Sequence, residues 1–197
     1  MGLKDVGYKY VNIDDCWTTK ERDSSNKLVP DPEKWPRGIK AVVDELHSQD
    51  LKFGLYGCAG LLTCASFPGS YGFEVQDMEQ LAEWGVDFWK HDNCFTDCPV
   101  EPWPQTCWDH PVETEPWYAT IGDAIQQVKP QKEILFNLCQ WGRNDVWEWG
   151  DKYGHSWRIA NDNWGDWESV IRIGARANDL AEYAGPGGFN DLDMLVS

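Results

Sequence analysis

Basic residues are scarce in this 197-residue chain: 17 Lys and Arg stand against 33 Asp and Glu, a formal net charge of −16. Such an excess repels phosphate backbones and anionic lipid surfaces, which argues against nucleic acid and membrane as partners. No apolar run approaches the roughly 20 residues needed to span a bilayer, and the opening MGLKDVGYKY lacks the apolar stretch of a signal peptide. No Gly-rich phosphate loop follows any apolar run, so the usual mark of a nucleotide-binding sheet is missing. There is no Asn-x-Ser/Thr sequon, low-complexity segment or internal repeat. What remains is a soluble chain of one domain, or part of one, with a neutral or cationic partner.

Tryptophan is abundant, with 13 residues. Indole faces suit the C–H-rich faces of sugars, although a large core would also use them. Seven cysteines is an odd number, so at least one is unpaired or has its partner outside this chain. Their number makes an oxidising compartment plausible. A zinc site from Cys94, Cys98, Cys107 and His110 is an alternative use, although their spacing fits no paired CxxC pattern.

Apolar runs of strand length recur at YKYVNI (8–13), LKFGLYG (51–57), VDFWK (86–90), EILFNLCQW (133–141), SWRIA (156–160) and FNDLDML (189–195). Between them lie segments of helical period. Ile39, Val42, Val43 and Leu46 form one stripe; Trp167, Val170, Ile171, Gly174, Ala177 and Ala181 form another; 74–84 and 115–128 are weaker versions. Alternating strand and helix predicts an α/β fold with a parallel sheet. Polar residues gather where strand after strand ends: Asp14 and Asp15, Tyr56, Lys90 and Asp92, Gln140, Arg158 with Asp162, and Asp191 with Asp193. In a (β/α)8 TIM barrel those ends converge on one mouth, so an incomplete barrel is expected, with six strands visible.

Residues two apart on a strand share a face, so Lys90 and Asp92 point the same way, as do Arg158 and Asp162 if that strand persists. Each carboxylate then has a cation beside it, which is expected to lower its pKa. Two carboxyl groups facing each other, one ionised and one protonated, are the machinery of glycoside hydrolysis. The plainer reading of each single Asp is a helix cap or a solvated loop residue.

In order along the chain, YKYVNIDDCW, LKFGLYGCAGLLTCASFPGSYG, WGVDFWKHDNC, SWRIANDNW and AGPGGFNDLDML closely resemble the motifs of the α-galactosidase (melibiase) family, which also includes α-N-acetylgalactosaminidases. The CQW and the insert around Cys98 and Cys107 look most like fungal members. The resemblance implies a cofactor-free, metal-free retaining exo-glycosidase that removes terminal α-galactosyl groups from small or oligomeric galactosides. It implies Asp92 as nucleophile and Asp162 as acid and base. Asp14 and Asp15 would hold galactose hydroxyls, and Tyr56, Lys90, Gln140, Arg158, Asp193 and Met194 would complete the pocket. It further implies a Cys64–Cys94 disulfide, a possible Cys98–Cys107 pair, a secreted protein and an acidic, bell-shaped pH profile.

By the same resemblance, residues 1–197 hold about strands two to seven of eight; the first strand, the eighth and a C-terminal β domain are expected outside this chain. Cys16 would lose its upstream partner, and Cys139 has none evident. At the end of the fourth strand seen here, Gln140 and Arg143 leave less room for an N-acetyl group than small residues would, which favours galactose. The alternatives are an α-N-acetylgalactosaminidase and a non-catalytic galactose binder.

Overall fold

A computed structural model of the chain describes residues 2–96, 113–128 and 133–194. Six strands, β1 (Tyr10–Asn12), β2 (Lys52–Cys58), β3 (Phe88–Asp92), β4 (Leu135–Cys139), β5 (Ser156–Arg158) and β6 (Phe189–Asp191), form one sheet in chain order. Every neighbouring pair is parallel. Four helices return the chain between strands: α1 (Gly38–Ser48), α2 (Glu74–Trp84), α3 (Glu115–Val128) and α4 (Trp167–Asp179). Between β4 and β5 the return is made by two short 3-10 turns, Val146–Glu148 and Gly150–Lys152.

Parallel pairing keeps same-register residues on one face, and here it sorts the chemistry. Tyr56 is opposite Lys90, which is opposite Asn137, which is opposite Ser156; one step further on, Cys58, Asp92 and Cys139 are aligned. This face curls inward. Asn12, Phe88, Asn137, Ser156 and Asp191, drawn from five strands, border a single cavity of about 400 Å3. Asn137 also donates across β5 to Asp191 on β6 at 2.8 Å. The sheet is therefore a curled part of a (β/α) barrel, as expected.

The other face carries the core. Phe53, Leu55, Trp89, Phe136, Leu138 and Trp157 are buried against Ile39 and Val43 of α1, Met78 and Leu81 of α2, and Ile121 of α3. Each such side chain contributes about 1.5–3 kcal/mol on burial. His91 belongs to this face: Trp89 Nε1 donates to its Nδ1 at 3.0 Å, and burial lowers its pKa to about 3, leaving a neutral ring. Gly57 makes room, since a Cβ there would stand 2.1 Å from the Trp89 ring.

Three expectations need correcting. The third strand runs on to Asp92, which makes that carboxylate part of the sheet. The fifth stops at Arg158, so Asp162 is delivered by a loop. The stripe expected to bury α4 is largely in solvent, with Trp167, Val170 and Ile171 exposed and only its flank, Ser169 and Ile173, buried. The physical reason is position: α4 is the last helix, set over the β5–β6 end of the sheet, where less surface lies beneath it.

Candidate active site

At the C-terminal ends of the strands a second cavity of about 390 Å3 opens beside the first. Asp14 and Asp15 from the β1 exit, Tyr56 from β2, Lys90 and Asp92 from β3, and Arg158 from β5 line it. Asp162, Asp193 and Met194 line it too, so every expected catalytic or sugar-binding residue but Gln140 borders this cavity. Residues distant in sequence thus meet because all six strands point the same way.

Asp92 is the most enclosed of these carboxylates. The Tyr56 hydroxyl donates to Oδ2 at 2.7 Å, the Trp141 indole N–H to Oδ1 at 2.9 Å, and the Asn93 backbone N–H to Oδ1 at 2.8 Å. Burial pushes its pKa up, against the lowering pull of Tyr56, Asn93 and Lys90. This reverses the direction expected from the neighbouring cation. Lys90 instead makes its ion pair with Asp14, at 2.7 Å, so desolvation dominates at Asp92. Burial also raises the pKa of Tyr56, assisted by the Asp92 charge, so the phenol remains a donor.

Asp162 has a different setting. It accepts from Arg158 at 3.0 Å, while the other arm of that guanidinium reaches Asp193 at 3.0 Å. Arg158 is buried, so its charge is shared between two carboxylates and held against the cavity wall. Asp193 accepts a second bond from the Asn163 backbone N–H at 2.7 Å. Asp15 accepts from Thr63 Oγ1 at 2.8 Å and from the Ala65 N–H at 2.9 Å, tying the β2–α2 loop to the β1 exit. A Cys64–Cys94 disulfide fastens the same loop to the residue two beyond Asp92.

That disulfide uses Cys94, so the alternative zinc set loses a ligand; Cys98, Cys107 and His110 lie outside the described residues, as does any Cys98–Cys107 pair. Among the described residues, Cys16, Cys58 and Cys139 have no disulfide partner.

Gln140 is placed differently from the expectation. Fully buried, it donates to Thr114 Oγ1 at 2.5 Å and to Asn144 Oδ1 at 3.3 Å, behind the cavity wall. The inward residues at that exit are Cys139 and Trp141, both lining the cavity. The sequence carried part of the signal: starting from Asn137, alternation puts Cys139 on the inner face and Gln140 on the outer. Trp141 reaches in through a turn with φ of +67° at Trp141 and +74° at Gly142. A side chain at Gly142 would meet the Ile159 carbonyl oxygen at 2.0 Å, so only glycine allows this turn. Asn163 and Trp164 are the other lining residues the sequence reading did not name.

A buried carboxylate with three fixed donors, facing a cavity that also holds a solvent-accessible carboxyl on an arginine, can perform nucleophilic attack and proton transfer within one site. A family model described as Melibiase_2, alpha galactosidase A, matches residues 1–197. A probable alpha-galactosidase B of Neosartorya fischeri is 40% identical over 99% of this chain and 49% of its own length. Alpha-galactosidase I of Mortierella vinacea superposes with a TM-score of 0.84 at 37% identity, covering 98% of this chain and 51% of that one. The α-galactosidase of Saccharomyces cerevisiae, solved with raffinose, gives 0.79 at 32% identity, covering 98% and 45%. This chain thus spans about half the length of the relatives it matches.

Proposed function

Because the chain belongs to the melibiase, or α-galactosidase, family, we propose that its parent protein removes terminal α-galactosyl groups with retention of configuration. In this reading Asp92 attacks the anomeric carbon and forms a β-galactosyl ester while Asp162 gives its proton to the departing oxygen. Asp162 then takes a proton from water, which cleaves the ester and releases α-galactose. Retention requires the two carboxyl groups only about 5 Å apart, on opposite faces of one sugar ring. The observation that carries the proposal is that Asp92, held by three neutral donors, and Asp162, held by Arg158, border the same cavity.

Around the sugar, Asp14 with Lys90 binds hydroxyls on one side, and Arg158 with Asp193 on the other; Asp15, already accepting from Thr63 and Ala65, also holds the loop. Tyr56 orients the nucleophile, and Met194 gives an apolar wall. Selection at C2 passes from Gln140 to Cys139 and Trp141, and an indole in that position leaves less room for an N-acetyl group than a small side chain. Galactose is therefore preferred over N-acetylgalactosamine. The raffinose-bound yeast relative supports oligosaccharide galactosides as substrates.

We propose also that residues 1–197 are part of the barrel's catalytic domain. Among the described residues β1 and β6 each have one edge without a partner strand, which strands elsewhere in the parent protein would cover. The disulfide supports secretion into an oxidising compartment.

The test is hydrolysis of an aryl α-galactoside by the full-length protein. Activity lost on Asp92→Ala, with product α-galactose seen first by NMR, is the expected result. An Asp92→Ala protein that keeps most of its activity, or β-galactose as first product, overturns the reading.

A further inference from the structure

Trp164 stands apart from the other tryptophans of the fold. It is 74% exposed, takes no part in the hydrophobic core, and yet lines the cavity that holds Asp92 and Asp162. An indole left in water forgoes the stabilisation that burial would give it. The loop that carries it is nonetheless fixed. Asn163 Oδ1 accepts from the Gly165 N–H at 3.1 Å and from Ser169 Oγ at 2.8 Å, and Asp166 caps α4 by accepting from the Ser169 N–H at 2.7 Å. The Trp164 N–H itself donates to Ser169 Oγ at 3.3 Å. Asn163 is joined to the β6 exit as well, through Asp193 and the Met194 carbonyl.

Chemistry dictates which group lies beside that indole. The acid that protonates a glycosidic oxygen must stand next to it, so the leaving group sits on the Asp162 side of the cavity, away from Asp92. Trp164 is two residues from Asp162 on the same short loop. We propose that Trp164 is the platform on which the leaving-group sugar stacks its C–H face, and that it sets the preference of the site for oligosaccharides over galactosides with small leaving groups. The proposal rests on the reading of Asp162 as the acid. A rigid, flat, apolar surface with an N–H at its edge suits a pyranose and loses little side-chain entropy on binding.

Two substrates separate this from a structural role. Melibiose, galactose α-1,6-linked to glucose, has a sugar to stack; α-galactosyl fluoride has none. In the full-length protein, Trp164→Ala is expected to lower the ratio of kcat/KM for melibiose to that for the fluoride about tenfold, a single aromatic contact's worth. Trp164→Phe, which keeps a ring, should recover most of that ratio and guards against misfolding of the alanine variant. Trp167, equally exposed but outside the cavity, is the control: Trp167→Ala should leave the ratio where it was. A second readout uses the same subsite in reverse. At high melibiose concentration a sugar competes with water for the galactosyl-enzyme, so Trp164→Ala should cut the yield of transfer products relative to free galactose.

An unchanged ratio in Trp164→Ala, whether both substrates keep their rates or lose them in parallel, overturns the proposal. Should the unmodified protein fail to cleave even the fluoride, the α-galactosidase reading itself falls, and this inference with it.

Discussion

Asp92 ends a central strand, is 7% exposed and accepts bonds from Tyr56, Trp141 and the Asn93 backbone. Asp162 rides on the loop after β5, with its side chain 55% exposed and a single ion pair to Arg158. The two settings suit the two halves of a double displacement. A nucleophile must approach one carbon along one line, so a rigid strand and three donors are of use to it. An acid that later serves as base must reach first the departing oxygen and then a water, and must exchange its proton with solvent between turnovers. On the proposed roles, position in the sheet, rather than residue type, divides the labour between the two aspartates.

The sharpest way to break this division is to swap the roles chemically. Asp92→Gly should lower kcat on an aryl α-galactoside by at least about 10⁴-fold. Added azide then enters the vacated place opposite the leaving group, and the product is β-galactosyl azide. In Asp162→Gly, Asp92 still forms the ester and azide attacks that intermediate instead, so the product is α-galactosyl azide. Product anomers determined by NMR check both assignments, and the reverse pattern would exchange the two residues.

Next in size is the effect of removing the acid alone. Asp162→Ala is expected to cost about 10²–10⁴-fold on melibiose, the usual range for a positioned proton donor. Measured as kcat/KM, which reports ester formation and not its hydrolysis, the loss on α-galactosyl fluoride should be far smaller, because fluoride leaves without a proton. Equal losses on the two substrates would make Asp162 a binding group.

Smaller again is the contribution of the Tyr56 hydroxyl. It donates to the ionised form of Asp92 and so holds that carboxyl below the value burial alone would give. Tyr56→Phe therefore raises the Asp92 pKa, and the acid limb of the kcat/KM profile moves to higher pH. At pH values below that limb the loss should be about tenfold for each unit of movement. A limb that does not move would mean that another group titrates there.

The same contrast explains what the sequence made legible. The strands β2 to β5 show as apolar runs because their outer faces pack against the helices and most of their length is buried, while β1 and β6 at the edges of the sheet are more exposed. Lys90 and Asp92 fall on one face because a strand repeats every two residues. Strand-exit aspartates could be picked out for the same reason. What escaped was loop geometry and the balance of solvation. Asp162 shares a face with Arg158 only if the strand persists, and it ends at Arg158; the side chain that enters the site after β4 is set by the left-handed turn at Trp141 and Gly142, which strand spacing does not describe. The direction of the Asp92 shift was missed because spacing shows that Lys90 is near, while only three dimensions show Lys90 paired with Asp14 and Asp92 enclosed. The α4 stripe was visible, but not which flank of it the sheet would cover.

The smallest expected effect is on stability, and it runs opposite to the effect on rate. Burial raises the Asp92 pKa above the ordinary value of 3.8, so between the unfolded and folded values the native state binds more protons than the unfolded chain, and stability falls as pH rises through the folded value. Once ionised, above its folded value, Asp92 is thus a burden on the fold. Asp92→Asn removes that charge and keeps the bonding: an amide oxygen still accepts from Trp141 and Asn93, and the Tyr56 hydroxyl can turn to accept from the amide NH2. The Asn variant should accordingly melt higher at pH 7 than the unmodified protein. Its advantage should vanish below the unfolded carboxyl value, where Asp92 is protonated in both states. Scanning calorimetry at pH 7 and pH 3 checks both the sign and its disappearance. A lower Tm for Asp92→Asn at pH 7 would mean that the three donors more than compensate the buried charge, and that the strand-end carboxylate stabilises the fold it serves.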